Sequence, residues 1–345
     1  MATAQVRVHR AVIGEDSAAK YAGPLFVVGA FRSGTSFFFS LLNKHSDVAL
    51  LYEADLGCFY PEWFARRLKS DWFERIEFWN GCMGRHGVSR PADLSRNPTS
   101  EDAALWLYKH YAARKEARIF GEKSPSYADC LEELAKKFPG ARFIVLWRDP
   151  LSVCESVCRA GETSRFFRKS GMVSRVLAHL EKLQCDCQRL IEQDYPVLQV
   201  EYNSLVENRE RVMRRICKFL AIPFESAMLT SQGSDLSMIP DGIHHQRVRG
   251  EGKVSQIEKV EVLSEGTHRK IERYQALWRQ KYPSLLLARA TTNNGTKAPG
   301  VVELAVDRVT WTILRGCDSA IKILYYLLPL AWLRRYRKLR GRVSG

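Results

Sequence analysis

Side chains suited to holding an anion stand directly after the apolar runs of this chain. Arg32, Ser33, Gly34, Thr35 and Ser36 follow the run at 25–28. Glu53 follows Val48–Tyr52, Lys123 and Ser124 follow 117–120, and Arg148 follows Arg142–Trp147. The first of these groups carries the most chemistry. An apolar strand, a tight turn holding Gly29 and Gly34, and an amphipathic helix together make an anion site, where backbone N–H groups converge and the helix dipole favours negative charge. The pattern is nearly the nucleotide loop G-x-x-x-x-G-K-[ST]. Thr35, however, stands where the lysine belongs, and the cation is inside the loop at Arg32. Such a loop suits a phosphate whose neighbouring group needs an arginine, rather than ATP with magnesium.

The elements that must position these groups read as an α/β fold. Strands are expected at 25–28, Val48–Tyr52, 117–120, Arg142–Trp147 and 197–202, with helical patterns between them. That alternation implies a P-loop-like, three-layer arrangement, a central parallel sheet flanked by helices. Every group named above then falls at the C-terminal edge of the sheet, where ligands bind in open α/β folds. Taken singly, Glu53 also reads as a helix-capping acid, Lys123 as a solvated strand end, and Arg148–Asp149 as a local ion pair.

Residues 55–114 read as a helical insertion punctuated by Trp63, Trp72, Trp79 and Trp106. Core packing is the expected role for most of them, with one or two lining an acceptor cleft. One helix is expected over 204–220 and another over 265–282. Between them, 233–252 is loop-like and holds His244, His245, Arg247 and Arg249, with Lys253 just beyond. Residues 291–300, TTNNGTKAPG, have linker composition. The expected organisation is an N-terminal extension (1–22), a main domain (23–290), a linker (291–300) and a basic, amphipathic C-terminal helical tail (301–345).

The chain has 345 residues, with 53 Lys+Arg against 38 Asp+Glu, a net charge of +15. That excess favours polyanionic or phosphorylated partners, nucleic acid, or an anionic membrane surface. The nine cysteines are scattered and lack zinc-ligand spacing. Buried thiols in a reduced, cytoplasmic compartment are the expectation, with no metal. The N-terminal residues contain no apolar run, so neither a signal peptide nor an anchor is expected there. The tail ends on RRYRKLRGR after an apolar stretch at 321–333, which Lys322 and Pro329 interrupt. An interfacial helix over 317–342, peripheral at an inner membrane face, stands beside a helix docked on the body.

At this point the chain resembles a known family. GAFRSGTSFF at 29–38, Glu53 closing HSDVALLYE, GEKSPSY at 121–127 and RFIVLWRDPLSVCES at 142–156 occur in order. They are similar to the sulfotransferases that use 3′-phosphoadenosine 5′-phosphosulfate (PAPS). The likeness is to the branch including protein-tyrosine sulfotransferases and bacterial carbohydrate-type enzymes, in which a loop arginine replaces the lysine. It implies that Ser33, Gly34, Thr35 and Ser36 hold the 5′-phosphate, and that Arg148 and Ser156 hold the 3′-phosphate. Tyr202 resembles a tyrosine near the nucleotide, and Arg247 a residue of a late segment closing over it. Arg159 is an imperfect match to a further arginine of the pattern.

The implied reaction is in-line transfer of the sulfuryl group to an acceptor hydroxyl, of a carbohydrate or glycolipid, giving 3′,5′-adenosine bisphosphate. Arg32 and Lys123 would offset charge on the donor, and Glu53 would act as general base. Nucleic acid is not expected as a partner. Two other classes compete: a P-loop kinase or NTPase, opposed by the missing lysine after Gly34, and a phosphate-binding module without turnover.

Overall fold

The computed structural model describes residues 23–58, 68–80, 82–90, 92, 94, 98–164, 167–168, 171–234, 239, 263–282, 285 and 297–335. The 1–22 extension, Trp63, His244, His245, Arg247, Arg249 and Lys253 lie outside them, as does the side chain of Trp79. Among the described residues five parallel strands form one sheet in the order β2-β3-β1-β4-β5. They are β1 (Leu25–Gly29), β2 (Val48–Tyr52), β3 (Ile119–Lys123), β4 (Arg142–Trp147) and β5 (Val197–Glu201). β1, at the centre, is fully buried, as is β2. Strands covered on both faces have no solvent side, and so read as continuous apolar runs.

β3 departs from the sequence expectation. It starts two residues later than 117 and runs through Gly121 to Lys123. Glycine in a run normally reads as a stop, but here it permits close approach of two backbones. Gly121 has φ of 147°, and a side chain there would collide with the Leu25 carbonyl of β1. Lys123 is therefore the last residue of its strand rather than a residue beyond it, paired in register with Tyr52 and Val27.

The helices follow their local signals. α1 (Thr35–Leu42) opens directly from the β1 loop. α2 (Trp72–Asn80), α3 (Cys82–Arg85) and α4 (Ser100–Arg114) make the insertion after β2. A capping box starts α4: the Thr99 side chain and the Asp102 amide bond, and the Asp102 side chain returns to the Thr99 N–H. Trp72 is buried and Trp106 packs half-buried against the core, as expected of packing residues. α5 (Leu131–Lys137) precedes β4. α6 (Pro150–Thr163) starts with proline at its first turn, and the Asp149 carboxylate accepts from the Ser152 N–H at 2.9 Å. α7 (Met172–Glu192) leads to β5.

The single helix expected over 204–220 is two, α8 (Tyr202–Glu207) and α9 (Arg209–Leu220). Asn208, with φ of −128° and ψ of 49°, breaks the helix between them. Tyr202 accordingly opens α8 instead of ending β5. α10 (Glu265–Lys281) packs on α6. α11 (Val301–Leu327) lies along α7, so the C-terminal helix is docked on the body from its first turns. No helix among the described residues is long and apolar enough to cross a membrane.

The cysteine expectation needs correction at one pair. Cys58, after β2, and Cys130, after β3, meet as a disulfide, which runs against the reading of uniformly reduced thiols. They are 72 residues apart in sequence. Only the side-by-side placement of β2 and β3 brings them together, and spacing alone gives no signal of it.

Candidate active site

The β1–α1 loop is the centre of the site. Gly34 takes a left-handed φ of 95°, and no side chain caps α1. The opening N–H groups of a helix have no intrahelical partner. Here no side chain takes them up, an arrangement that suits an anion, with the helix dipole behind them. The Ser33 N–H is engaged differently, donating to the Ala30 carbonyl at 3.1 Å. The Ser33 hydroxyl is buried with no hydrogen-bond partner, as a ligand-facing group would be. A side chain on residue 34 would run into the Tyr202 ring, so glycine is required both by φ and by that contact.

One group of side chains gathers on the β4 side of this loop. Arg148, just beyond the end of β4, donates from Nη1 to the Arg32 carbonyl at 3.1 Å. Its guanidinium lies over the Tyr202 ring, 4.6 Å from the centroid. Arg32, in the left-handed region at φ 67°, donates from Nε to the Ser156 hydroxyl at 3.2 Å. Ser156 is on the second turn of α6. Arg159, further along α6, has a buried guanidinium nitrogen without a partner. Arginine binds phosphate oxygens through a planar fork, and a cluster of guanidiniums held at their edges suits a phosphate group.

A second group lies on the β2–β3 side. Lys123 is fully buried, and its Nζ sits 2.5 Å from Glu53 Oε1. The same ammonium is 3.4 Å from the Ser36 hydroxyl and 3.6 Å from the centroid of the Tyr52 ring. Ser36 and Tyr52 share a hydrogen bond of 2.7 Å between their hydroxyls. Burial pushes the Lys123 pKa down, against the Glu53 carboxylate, which supports the charge. Burial and the Glu53 charge both push the Tyr52 phenol up. Glu53 has φ of 48°, and its N–H donates to the Lys123 carbonyl at 2.8 Å, tying the ends of the two strands together. A non-glycine residue in that region is a local cost that cores rarely accept and sites often do.

Beneath this second group is a buried network that sequence reasoning missed. Glu122 points to the opposite face of β3 from Lys123. Its carboxyl accepts from the Asp55 and Leu56 N–H groups and, at 2.7 Å each, from the Tyr108 and Tyr127 hydroxyls. Asp55 also has positive φ and accepts from the Ser124 and Ser126 hydroxyls. Burial, helped by the Asp55 charge, raises the Glu122 pKa to about 8, so the acid stays protonated near neutrality. The available signal was alternation: in G-E-K-S-P-S-Y two adjacent charges on one strand must face opposite ways.

The structure thus brings Arg32, Ser33, Gly34, Thr35, Ser36, Glu53, Lys123, Arg148, Ser156 and Tyr202 to one edge of a parallel sheet. The architecture is that of a nucleotide-binding α/β protein with an arginine-bearing anion loop. The sulfotransferase family model matches residues 24–226, more than half of the sequence, and the chain belongs to that family. The chain is 24% identical over 220 residues to protein-tyrosine sulfotransferase A of Caenorhabditis elegans, covering 62% of this chain and 54% of that one. It is 25% identical over 245 residues to protein-tyrosine sulfotransferase 1 of Danio rerio, covering 69% of this chain and 60% of that one. The match therefore spans little more than half the length of these relatives. Among solved structures, the sulfotransferase domain from the Synechococcus PCC 7002 olefin synthase aligns with a TM-score of 0.48 at 18% identity, covering 73% of this chain and 94% of that one.

Proposed function

We propose that this chain is a PAPS-dependent sulfotransferase acting on a hydroxyl of a carbohydrate or glycolipid. The observation that carries the reading is the division of the loop's surroundings into two chemically different groups. Arg32, Arg148 and Ser156 stand on one side, and the Glu53–Lys123 pair, at 2.5 Å, stands on the other. The donor set fits PAPS: uncapped helix N–H groups and an orphaned Ser33 hydroxyl for one phosphate, guanidiniums and the Ser156 hydroxyl for the other. PAPS, when bound, supplies an activated sulfuryl group.

The chain's own residues then have separable roles. Ser33, Thr35, Ser36 and the start of α1 hold the 5′-phosphate end. Arg148 and Ser156 hold the 3′-phosphate, with Tyr202 as the surface on which Arg148 lies. Glu53 takes the proton of the acceptor hydroxyl as that oxygen bonds to sulfur, and the leaving oxygen departs with its electron pair on 3′,5′-adenosine bisphosphate. Lys123 and Arg32 oppose the negative charge that grows on the leaving oxygen, a contribution made mainly in the transition state. The roles of Arg247 and of the 233–252 segment rest on the resemblance alone.

The test has two stages. Thermal shift should show stabilisation by 3′,5′-adenosine bisphosphate and little by ATP with magnesium. Stabilisation by ATP–magnesium alone would return the chain to the kinase reading. Sulfur-labelled PAPS offered with oligosaccharides, glycolipids and tyrosine peptides should then label a sugar. Since both curated relatives are named as tyrosine sulfotransferases, labelling confined to the peptides would move the acceptor to protein tyrosine.

A further inference from the structure

α11 is folded inside out. An ordinary amphipathic helix buries its apolar stripe and wets its charges. In α11 the side chains of Glu303, Asp307 and Arg308 pair with the body. Asp307, buried, accepts from Lys270 and from the Tyr274 hydroxyl of α10, at 2.6 Å each. Arg273 of α10 pairs with Glu303 at 2.7 Å, and Arg308 pairs with Glu181 of α7 at 3.2 Å. The opposite face carries Val302, Val306, Val309, Ile313, Leu324 and Leu327, spaced as one helix face, and each is more than half exposed. Every large hydrophobic side chain that stands exposed among the described residues lies between Val301 and Trp332. The stripe therefore starts near the beginning of the helix, well before residue 317, and runs the length of a 27-residue helix, about 40 Å.

We propose that this face of α11 lies in the surface of an anionic lipid bilayer, with the catalytic body held above it. Three observations select lipid as the occupant. Just beyond the end of α11 stands Trp332, which is 70% exposed, an aromatic of the kind enriched at membrane interfaces. Arg334 and Arg335 follow directly and are exposed, and the sequence continues with Arg337, Lys338, Arg340 and Arg342. That is the order of an apolar face followed by a basic cluster that anionic headgroups attract. The carboxylates Glu303 and Asp307 are neutralised by the body and oppose no headgroup. A second copy of this chain is the poorer occupant, because each copy brings a net charge of +15 to the contact. The ion-paired inner face also makes the helix one that lies in the interface rather than crossing it.

The test uses the full chain and needs no turnover, so it is independent of the acceptor and of the reaction. Sedimentation with phosphatidylcholine vesicles should leave the protein in solution. Vesicles with a phosphatidylglycerol fraction should carry it down, less so at high salt. The double variant Val306→Asp/Ile313→Asp should keep the wild-type melting temperature and lose vesicle partitioning by about tenfold or more, the scale of two exposed apolar side chains denied burial. If that variant fails to fold, Val309→Gln, at a single exposed position, carries the same comparison with a smaller loss. Failure of the wild-type chain to bind anionic vesicles at low salt overturns the proposal. So does undiminished binding by a folded variant, or a lipid-free dimer that these substitutions dissolve, which would give the face to a second copy.

Discussion

The two sides of the β1–α1 loop hold their charges in opposite ways. On the β4 side, Arg32 donates to a hydroxyl, and Arg148 donates to a carbonyl and lies over a ring. A hydroxyl, a carbonyl and a ring face hold these guanidiniums in place by their edges and faces. On the β3 side, the Lys123 ammonium is buried against the Glu53 carboxylate at 2.5 Å. That pair is closed until something changes its charge. In the proposed mechanism a proton arriving on Glu53 neutralises the carboxylate and weakens the hold on Lys123, which lies 3.4 Å from the Ser36 hydroxyl. On the proposed roles, base and cation are linked, since taking the acceptor's proton would loosen the pair. The contrast is between a side proposed to bind and a side proposed to respond.

The largest expected effect comes from breaking the responsive side. Glu53→Gln keeps shape and hydrogen bonding but cannot take the proton. Turnover should fall by about 10²–10⁴-fold, the usual worth of a general base. Affinity for 3′,5′-adenosine bisphosphate, read by calorimetry, should stay near wild type. A variant with normal kcat, or one that loses nucleotide affinity as steeply as turnover, would erase the distinction between the two sides.

The binding side should answer in the converse way. Arg148→Ala should weaken 3′,5′-adenosine bisphosphate by about 1.5–3 kcal/mol, as expected for a hydrogen bond to a charged group. At saturating donor, kcat should change far less than the dissociation constant. Equal affinity in variant and wild type would remove Arg148 from the nucleotide site.

How much of this was legible in the sequence depends on what kind of fact each feature is. β1, β2 and β4 were readable because strands buried on both faces appear as unbroken apolar runs. The polar groups at their ends were readable because topology sends all parallel strand ends to one edge. β3 was misplaced by Gly121, whose role is a close approach to Leu25 on another strand. The break at Asn208 was hidden because the apolar spacing of 205, 212, 216 and 220 continues across it. Glu122, Asp55, Tyr108 and Tyr127 were missed for a spatial reason. Their meeting point exists only once β2, β3 and α4 are side by side. The inverted polarity of α11 likewise depends on which neighbour supplies the ion-pair partners, and no periodicity records that.

The missed network yields a prediction on stability. In the folded protein the Glu122 pKa is raised from 4.5 to about 8, chiefly by burial. Between those values the unfolded chain has released the proton and the folded chain has kept it. The folded state then binds more protons, so the Glu122 contribution to stability weakens as pH rises through this window. Glu122→Gln, neutral at every pH, should flatten that part of the profile. Denaturant midpoints at pH 5 and pH 8 measure it, and the wild-type chain should lose more between them than the variant does. An unchanged slope in the variant would mean that Glu122 is ionised in the folded protein.

The smallest expected effect decides where Arg32 belongs. Its Nε bond to Ser156 Oγ, at 3.2 Å, ties it to the β4 side, while the proposed reaction gives it a part in opposing charge on the leaving oxygen. Ser156→Ala removes one hydroxyl, with its bond from Arg32 and its proposed contact to the 3′-phosphate, and leaves the arginine charge in place. If Arg32 serves mainly to hold the nucleotide, the change should cost about 0.5–1.5 kcal/mol of 3′,5′-adenosine bisphosphate affinity and leave kcat alone. If instead the Ser156 bond holds Arg32 away from the reacting oxygen, freeing it should leave affinity slightly reduced and raise kcat, because a guanidinium released from the hydroxyl can turn toward the growing charge. We expect the first outcome, since the Arg32 carbonyl is itself held by Arg148 and does not depend on Ser156. A rise in kcat would place Arg32 with Lys123 and give the responsive side two cations where the present geometry gives it one.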